Sequence, residues 1–135
     1  MTGVVLLDTD TFSRLSRSPA WATRLAPWLD GAEATLSFVT VAELHFGAAK
    51  AGWGDARIGR LEADIRRYGL LPVDNELPRV WGRLRADAVR LGHPLGQPAQ
   101  ANDAWLAACA VHYGVPLLTG NRRHFAKFPP LRLAD

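Results

Sequence analysis

Three carboxylates, Asp8, Glu43 and Asp103, each stand where an apolar run meets a helical pattern. Asp8 closes the run Val4-Val5-Leu6-Leu7, and Glu43 follows Phe38-Val39-Thr40-Val41. Asp103 lies in Asn102-Asp103-Ala104-Trp105-Leu106. Acids that converge from separate strand ends can hold a hard divalent cation such as Mg²⁺ or Mn²⁺, which prefers oxygen ligands. Such an ion can activate a water and stabilise the leaving oxygen when a phosphodiester is cleaved.

Each acid must be weighed against a purely structural role. Glu43 follows Thr40 at capping-box spacing, so it could serve only to satisfy a helix N-terminus. Asp103 falls in a helix's first turn, where a carboxylate favours the macrodipole. It also shares a stripe with Leu106, Ala107 and Ala110, and an acid on an apolar stripe needs a partner charge or a metal. Asp8 is the hardest to explain as structure, because Asp10 is already available to cap the following helix. Two carboxylates that close repel each other unless a cation is present.

Behind these residues, short apolar runs alternate with longer helical patterns. Strands are expected over residues 3–7, 34–38, 70–73 and 115–118, with a last edge strand over 131–133. Helices are expected over 9–17, from Pro19 through Trp28, over 40–52, 55–68, 77–91 and 102–113. The pairs Arg60–Asp64 and Glu62–Arg66 mark a solvated helix face, and residues 92–100, rich in Gly and Pro, read as a loop. This βα alternation predicts an α/β fold with a mainly parallel sheet and helices on both faces. No repeat, linker or second domain is visible, so residues 1–135 read as a single domain.

The 135 residues carry 48% hydrophobic and 21% charged side chains, an ordinary globular balance rather than that of a disordered chain. The net charge is only +3, yet all basic residues except Lys50 and Lys127 are arginines. Arginine's planar fork suits phosphate, which points to a nucleic-acid partner, although an arginine-rich host proteome would produce the same bias. The lone Cys109 excludes an internal disulfide and reads as a buried thiol. No apolar run approaches the length of a membrane span. The N-terminal run has no basic residues before it and is broken by Asp8, so a cytoplasmic protein is expected.

Zinc spacings and the H-E-x-x-H, G-x-S-x-G and P-loop motifs are absent. His45, His93 and His112 read as surface or packing residues. His124 differs, because Thr119-Gly120-Asn121-Arg122-Arg123 should carry it to the same sheet edge as Asp8. Trp21, Trp28 and Trp53 read as core or dimer packing.

Taken in order, Leu6-Leu7-Asp8-Thr9-Asp10, Thr40-Val41-Ala42-Glu43-Leu44, Asn102-Asp103-Ala104-Trp105-Leu106-Ala107-Ala108 and Leu117-Leu118-Thr119-Gly120-Asn121-Arg122-Arg123-His124-Phe125 span essentially the whole chain. In these signatures it resembles a PIN-domain ribonuclease of the VapC toxin type. The resemblance implies a three-layer PIN-like domain with a sheet of four to five strands. It also implies an Mg²⁺- or Mn²⁺-dependent endoribonuclease, usually homodimeric, that cleaves RNA to arrest translation. A cognate VapB-like antitoxin would cover its site.

By position, Asp8, Glu43 and Asp103 match the family's first three acids, and Thr9 and Thr119 match hydroxyls that orient them. Asp8 and Asp103 would be the main metal ligands, with Glu43 holding a water of the ion's shell or serving as base. Where the family often has a fourth acid, this chain has Asn121 and His124, which puts a second metal ion in question. Arg14, Arg17, Arg122 and Arg123 are the candidates for gripping the RNA backbone. Two rival readings remain open at this stage. Asp8-Thr9-Asp10 also resembles the opening of a haloacid dehalogenase-like phosphatase with Asp8 as nucleophile, although its later acidic pair is missing. A degenerate PIN module that only binds RNA or a partner is the other.

Overall fold

Val4–Leu7 forms the first strand, β1, as its continuous apolar and partly β-branched run requires. The structure is a computed structural model describing residues 3–134; residues 1, 2 and 135, the ends of the expected domain, lie outside the described residues. β2 (Glu33–Leu36) and β4 (Leu117–Leu118) pair with β1 on either side, and β3 (Gly69–Leu70) pairs with β2, giving the order β3-β2-β1-β4, all parallel. β1 is therefore central, with Leu6 opposite Thr35 on one side and Leu117 on the other.

Parallel pairs need crossovers, and helices supply them. α1 (Thr9–Arg17) and α2 (Pro19–Leu29) link β1 to β2, and α3 (Phe38–Lys50) and α4 (Asp55–Ile65) link β2 to β3. α5 (Leu77–Leu91) and α6 (Ala101–Tyr113) lead to β4, and the single turn α7 (Arg122–Phe125) follows it.

Alternation along β1 divides the core between the two faces of the sheet. Leu6 joins Leu117, Leu77 and Leu84 in a cluster with Ala104, Ala107 and Ala108 of α6. Val5, Leu7 and Leu118 join Phe12 of α1, Ala48 of α3 and Leu61 of α4. Each buried leucine contributes about 1.5–3 kcal/mol relative to an exposed one. α6 ends at Gly114, whose φ of 65° is the left-handed conformation and whose N–H reaches the carbonyls of Ala110 and Val111. That cap turns the chain into β4. Cys109 is buried in α6, and burial pushes its thiol up to about 12, which makes it inert.

Several boundaries differ from the sequence expectation. Residues 37 and 38 leave the second strand because Ser37 caps α3, its Oγ accepting from the Thr40 N–H at 3.4 Å. Glu43 is thus not the partner of a Thr40 cap. Asp10 does not cap α1 either; Asp8 does, in extended conformation, with Oδ1 accepting from the Thr11 N–H at 2.8 Å. α4 stops at Ile65, and Tyr68 beyond it packs edge-on against Phe12 at 5.4 Å. Glu62 and Arg66 pair as expected at 3.9 Å, but Asp64 pairs with Arg67 at 4.0 Å instead of Arg60. Residues 70–73 contribute only the short β3, and the loop over 92–100 holds the 3-10 turns Pro94–Gly96 and Pro98–Gln100. The expected last strand amounts to one parallel bridge from Leu117 to Leu133. Among the described residues, no helix is long and apolar enough to cross a membrane.

Candidate active site

The carboxyl ends of β1, β2 and β4 open into helix starts at one edge of the sheet, the usual place for a ligand in an open α/β fold. β1 delivers Asp8, β2 leads through the Ser37 cap into α3, and β4 delivers Thr119. There Asp8, Thr9, Asp10, Glu43, Asn102, Asp103 and Asn121 line one narrow cleft with Leu106 and Phe125.

Each acid is held by donors of its own. Asp8 is 7% exposed, and its Oδ2 accepts from the Thr119 hydroxyl at 2.5 Å while Oδ1 caps α1. Thr119 Oγ1 in turn accepts from the backbone N–H of Asn121 at 2.9 Å. Asn121 thus orients Asp8 through its main chain, while its residue also lines the cleft. Glu43 Oε1 accepts from the Thr9 hydroxyl at 2.6 Å, and Oε2 from Asn102 Nδ2 at 3.3 Å. The Thr9 oxygen also lies 3.1 Å from Thr40 Oγ1. A hydroxyl has one proton, so with Thr9 donating to the carboxylate, Thr40 is the group that donates to Thr9. Asp103 Oδ2 meets His124 Nδ1 at 3.0 Å.

Burial raises the Asp103 carboxyl above the ordinary carboxylate range, the bond to His124 opposes this, and the negative charges of Glu43 and Asp8 add to the rise. The three acids therefore feel one another electrostatically. That mutual repulsion is what a bound cation relieves.

His124 does not line the cleft but touches it through its bond to Asp103. His93 instead approaches the Ala126 carbonyl at 2.7 Å, His112 pairs with Asp74 at 2.8 Å, and His45 pairs with Glu62. Arg14 lies over Gly120, its Nη1 2.7 Å from where a Cβ would stand. Arg17 is exposed at the end of α1. Arg122 donates to the Ala134 carbonyl at 3.2 Å, and Arg123 borders a separate hollow with His93 and Lys127. None of these arginines lines the cleft.

Asp10, Thr40 and Asn102 belong to the site although the sequence reading assigned them no place in it. Thr40 stands one turn before Glu43, at a spacing that reads as a cap, yet its hydroxyl meets Thr9. Asn102 neighbours Asp103, and only the fold shows that it serves Glu43, 59 positions away.

Among the described residues, no three His, Cys, Asp or Glu side chains form a ready-made metal cage. A hard cation does not require one, since Mg²⁺ keeps several waters and is held by one or two carboxylates plus substrate oxygens. The acids lining the cleft are all oxygen donors, and Asp103 is raised chiefly by burial, with the charges of Glu43 and Asp8 adding to the rise. This donor set fits Mg²⁺ or Mn²⁺ and not a thiophilic metal.

Comparison with known proteins identifies the family. The model of the PIN domain family matches residues 5–129. The tRNA(fMet)-specific endonuclease VapC of Salmonella typhimurium is 28% identical over 130 residues, covering 96% of each chain. Ribonuclease VapC4 of Mycobacterium tuberculosis is 31% identical over 126 residues, 90% of this chain and 88% of that one. The structure of DNA-bound VapBC from Salmonella typhimurium superposes with a TM-score of 0.78 at 26% identity, covering 97% of this chain and 96% of that one. A match of this breadth sets aside the phosphatase reading of Asp8-Thr9-Asp10. The chain belongs to the PIN-domain family, among its VapC-type members.

Proposed function

We propose that the chain, one PIN domain over residues 1–135, is a metal-dependent endoribonuclease serving as the toxin of a toxin–antitoxin pair. One observation carries the reading: carboxylates from the starts of α1 and α6 and from the second turn of α3 line a single cleft, each fixed by its own hydroxyl, amide or imidazole donor. Bland helix caps would have no need of this convergence. The likeness to VapBC supports a VapB-like antitoxin as the protein partner, and a homodimer is the proposed state.

Asp8 and Asp103 are the residues proposed to hold Mg²⁺ or Mn²⁺. When bound, the ion would supply Lewis-acid stabilisation of charge developing on the phosphoryl group and leaving oxygen. The remaining work belongs to side chains. Glu43, with Thr9 on one oxygen and Asn102 on the other, keeps a fixed rotamer from which it accepts the proton of the attacking water. Thr119 fixes Asp8, and His124 fixes Asp103, in the corner where a fourth acid is often found in this family.

Asp8→Asn is the direct test. Asparagine also caps a helix well, so the fold should survive the change. Cleavage of cellular RNA, mapped by its ends, should disappear in the variant. Wild-type cleavage by Asp8→Asn would remove the assignment.

A further inference from the structure

Trp21 lies on a helix, α2, that contributes no buried residue. Its indole remains partly exposed, and two guanidinium groups rest against it: Arg14 of α1 with Cζ 4.8 Å from the ring centroid, and Arg24 of α2 at 4.9 Å. Arg14 extends further, with Nη1 over Gly120. Gly120 joins Thr119, the partner of Asp8, to Asn121, which lines the cleft. A continuous path therefore runs from the candidate active site across Arg14 and Trp21 to Arg24.

These cations differ from many of the surface arginines. Arg66, Arg67, Arg79 and Arg90 pair with acids three or four positions away, and Arg85 and Arg132 donate to carbonyls. Arg14 and Arg24 make no ion pair or hydrogen bond among the described residues, so their N–H forks meet no acceptor there. Arg14 near the end of α1 also complements that helix's terminal carbonyls. That role does not explain why the exposed Arg24, inside α2, rests on the same ring.

We propose that Arg14, Trp21 and Arg24 form a track for single-stranded RNA leading into the cleft, with Trp21 stacking a base and the two arginines holding flanking phosphates. The inference rests on the nuclease reading and adds a binding surface to it. Single strands present phosphates and π-faces in alternation, and cations spaced about an aromatic ring match that alternation. Guanidinium forks bind phosphate oxygens in pairs. A protein partner would be served by an apolar patch, whereas this surface places charge on either contact of the ring.

The test uses the full chain carrying Asp8→Asn, so that RNA is bound without being cut. A labelled oligouridylate long enough to reach from the cleft past α2 is titrated at several salt concentrations. Trp21→Ala should weaken binding about tenfold, the loss of one stacked base, and Trp21→Tyr should restore most of it. Arg24→Ala should lower the slope of log affinity against log salt by about 0.7, the loss of one single-strand phosphate contact. Arg90→Ala, a paired surface arginine, serves as the unchanged control. Arg24 is exposed, so its variant stays informative even if Trp21→Ala fails to fold. Unaltered affinity and salt slope in Arg24→Ala would overturn the track. So would variants that keep RNA affinity but lose a VapB-like partner, which would assign the surface to protein. A wild-type chain that never cuts RNA would overturn the nuclease reading instead, and cleavage with no Arg24 effect would overturn the track alone.

Discussion

Asp8 does two things with one carboxylate. Oδ1 closes the first turn of α1, and Oδ2 receives the Thr119 hydroxyl from a residue 111 positions away. The helix cap and the proposed metal ligand are thus the same group, and the cap holds the carboxylate in one rotamer. Asp103 presents the converse case, an acid raised by burial and by its acidic neighbours. Between the unfolded carboxylate value and the raised folded one, the native state binds more protons than the unfolded state. Stability therefore falls as pH rises through that window, and the full cost persists above it. Asp103→Asn should accordingly melt a few degrees higher than wild type at neutral pH in a chelator. The advantage should vanish once pH falls below the ordinary carboxylate range. Adding Mn²⁺ should then reverse the order by stabilising the wild type alone. Thermal melts in chelator at both pH values check this, and a variant no more stable than wild type at neutral pH would refute it.

Helix starts carry much of the information at the element scale. Asp8 before α1 and Ser37 before α3 both cap, and both follow strands that end at the site edge. The sequence made α1, α2 and α5 legible to within a residue or two, because apolar periodicity and Pro at the first turns are local signals. It placed the start of α3 two residues late, because Phe38 and Val39 continue an apolar run that reads equally as strand. Only the Ser37 cap decides between the two. Ser37→Ala should therefore cost about 1 kcal/mol of stability. Urea titration measures it, and RNA cleavage should fall with it only as far as the folded population falls. A loss of cleavage in fully folded Ser37→Ala would show that the cap also positions Glu43 through Thr40.

The whole molecule is organised about β1, whose Leu6 and Leu7 are fully buried on opposite faces of the sheet. The two clusters share this strand, so loss of packing on one face is felt by the other. Leu6→Ala should cost about 2–5 kcal/mol. Tryptophan fluorescence, which reports residues in both clusters, and far-UV dichroism should still trace one coincident transition. Separate transitions would show that the faces unfold independently.

Sequence alone determined the α/β class and the order of most elements, and it singled out the three acids now proposed as the site, since composition, periodicity and motif are written into neighbouring positions. It also marked His124 as the histidine to watch. Tertiary structure decided the rest: that Asp8 rather than Asp10 caps α1, that Asn102 serves Glu43, and that His124 meets Asp103. It likewise decided that Arg14 joins Trp21 to Gly120 while Arg122 donates to Ala134. The physical reason is range. Capping boxes, stripes and turns act over a few residues, but the donor that reaches a carboxylate oxygen is chosen by which distant strand ends the sheet brings together.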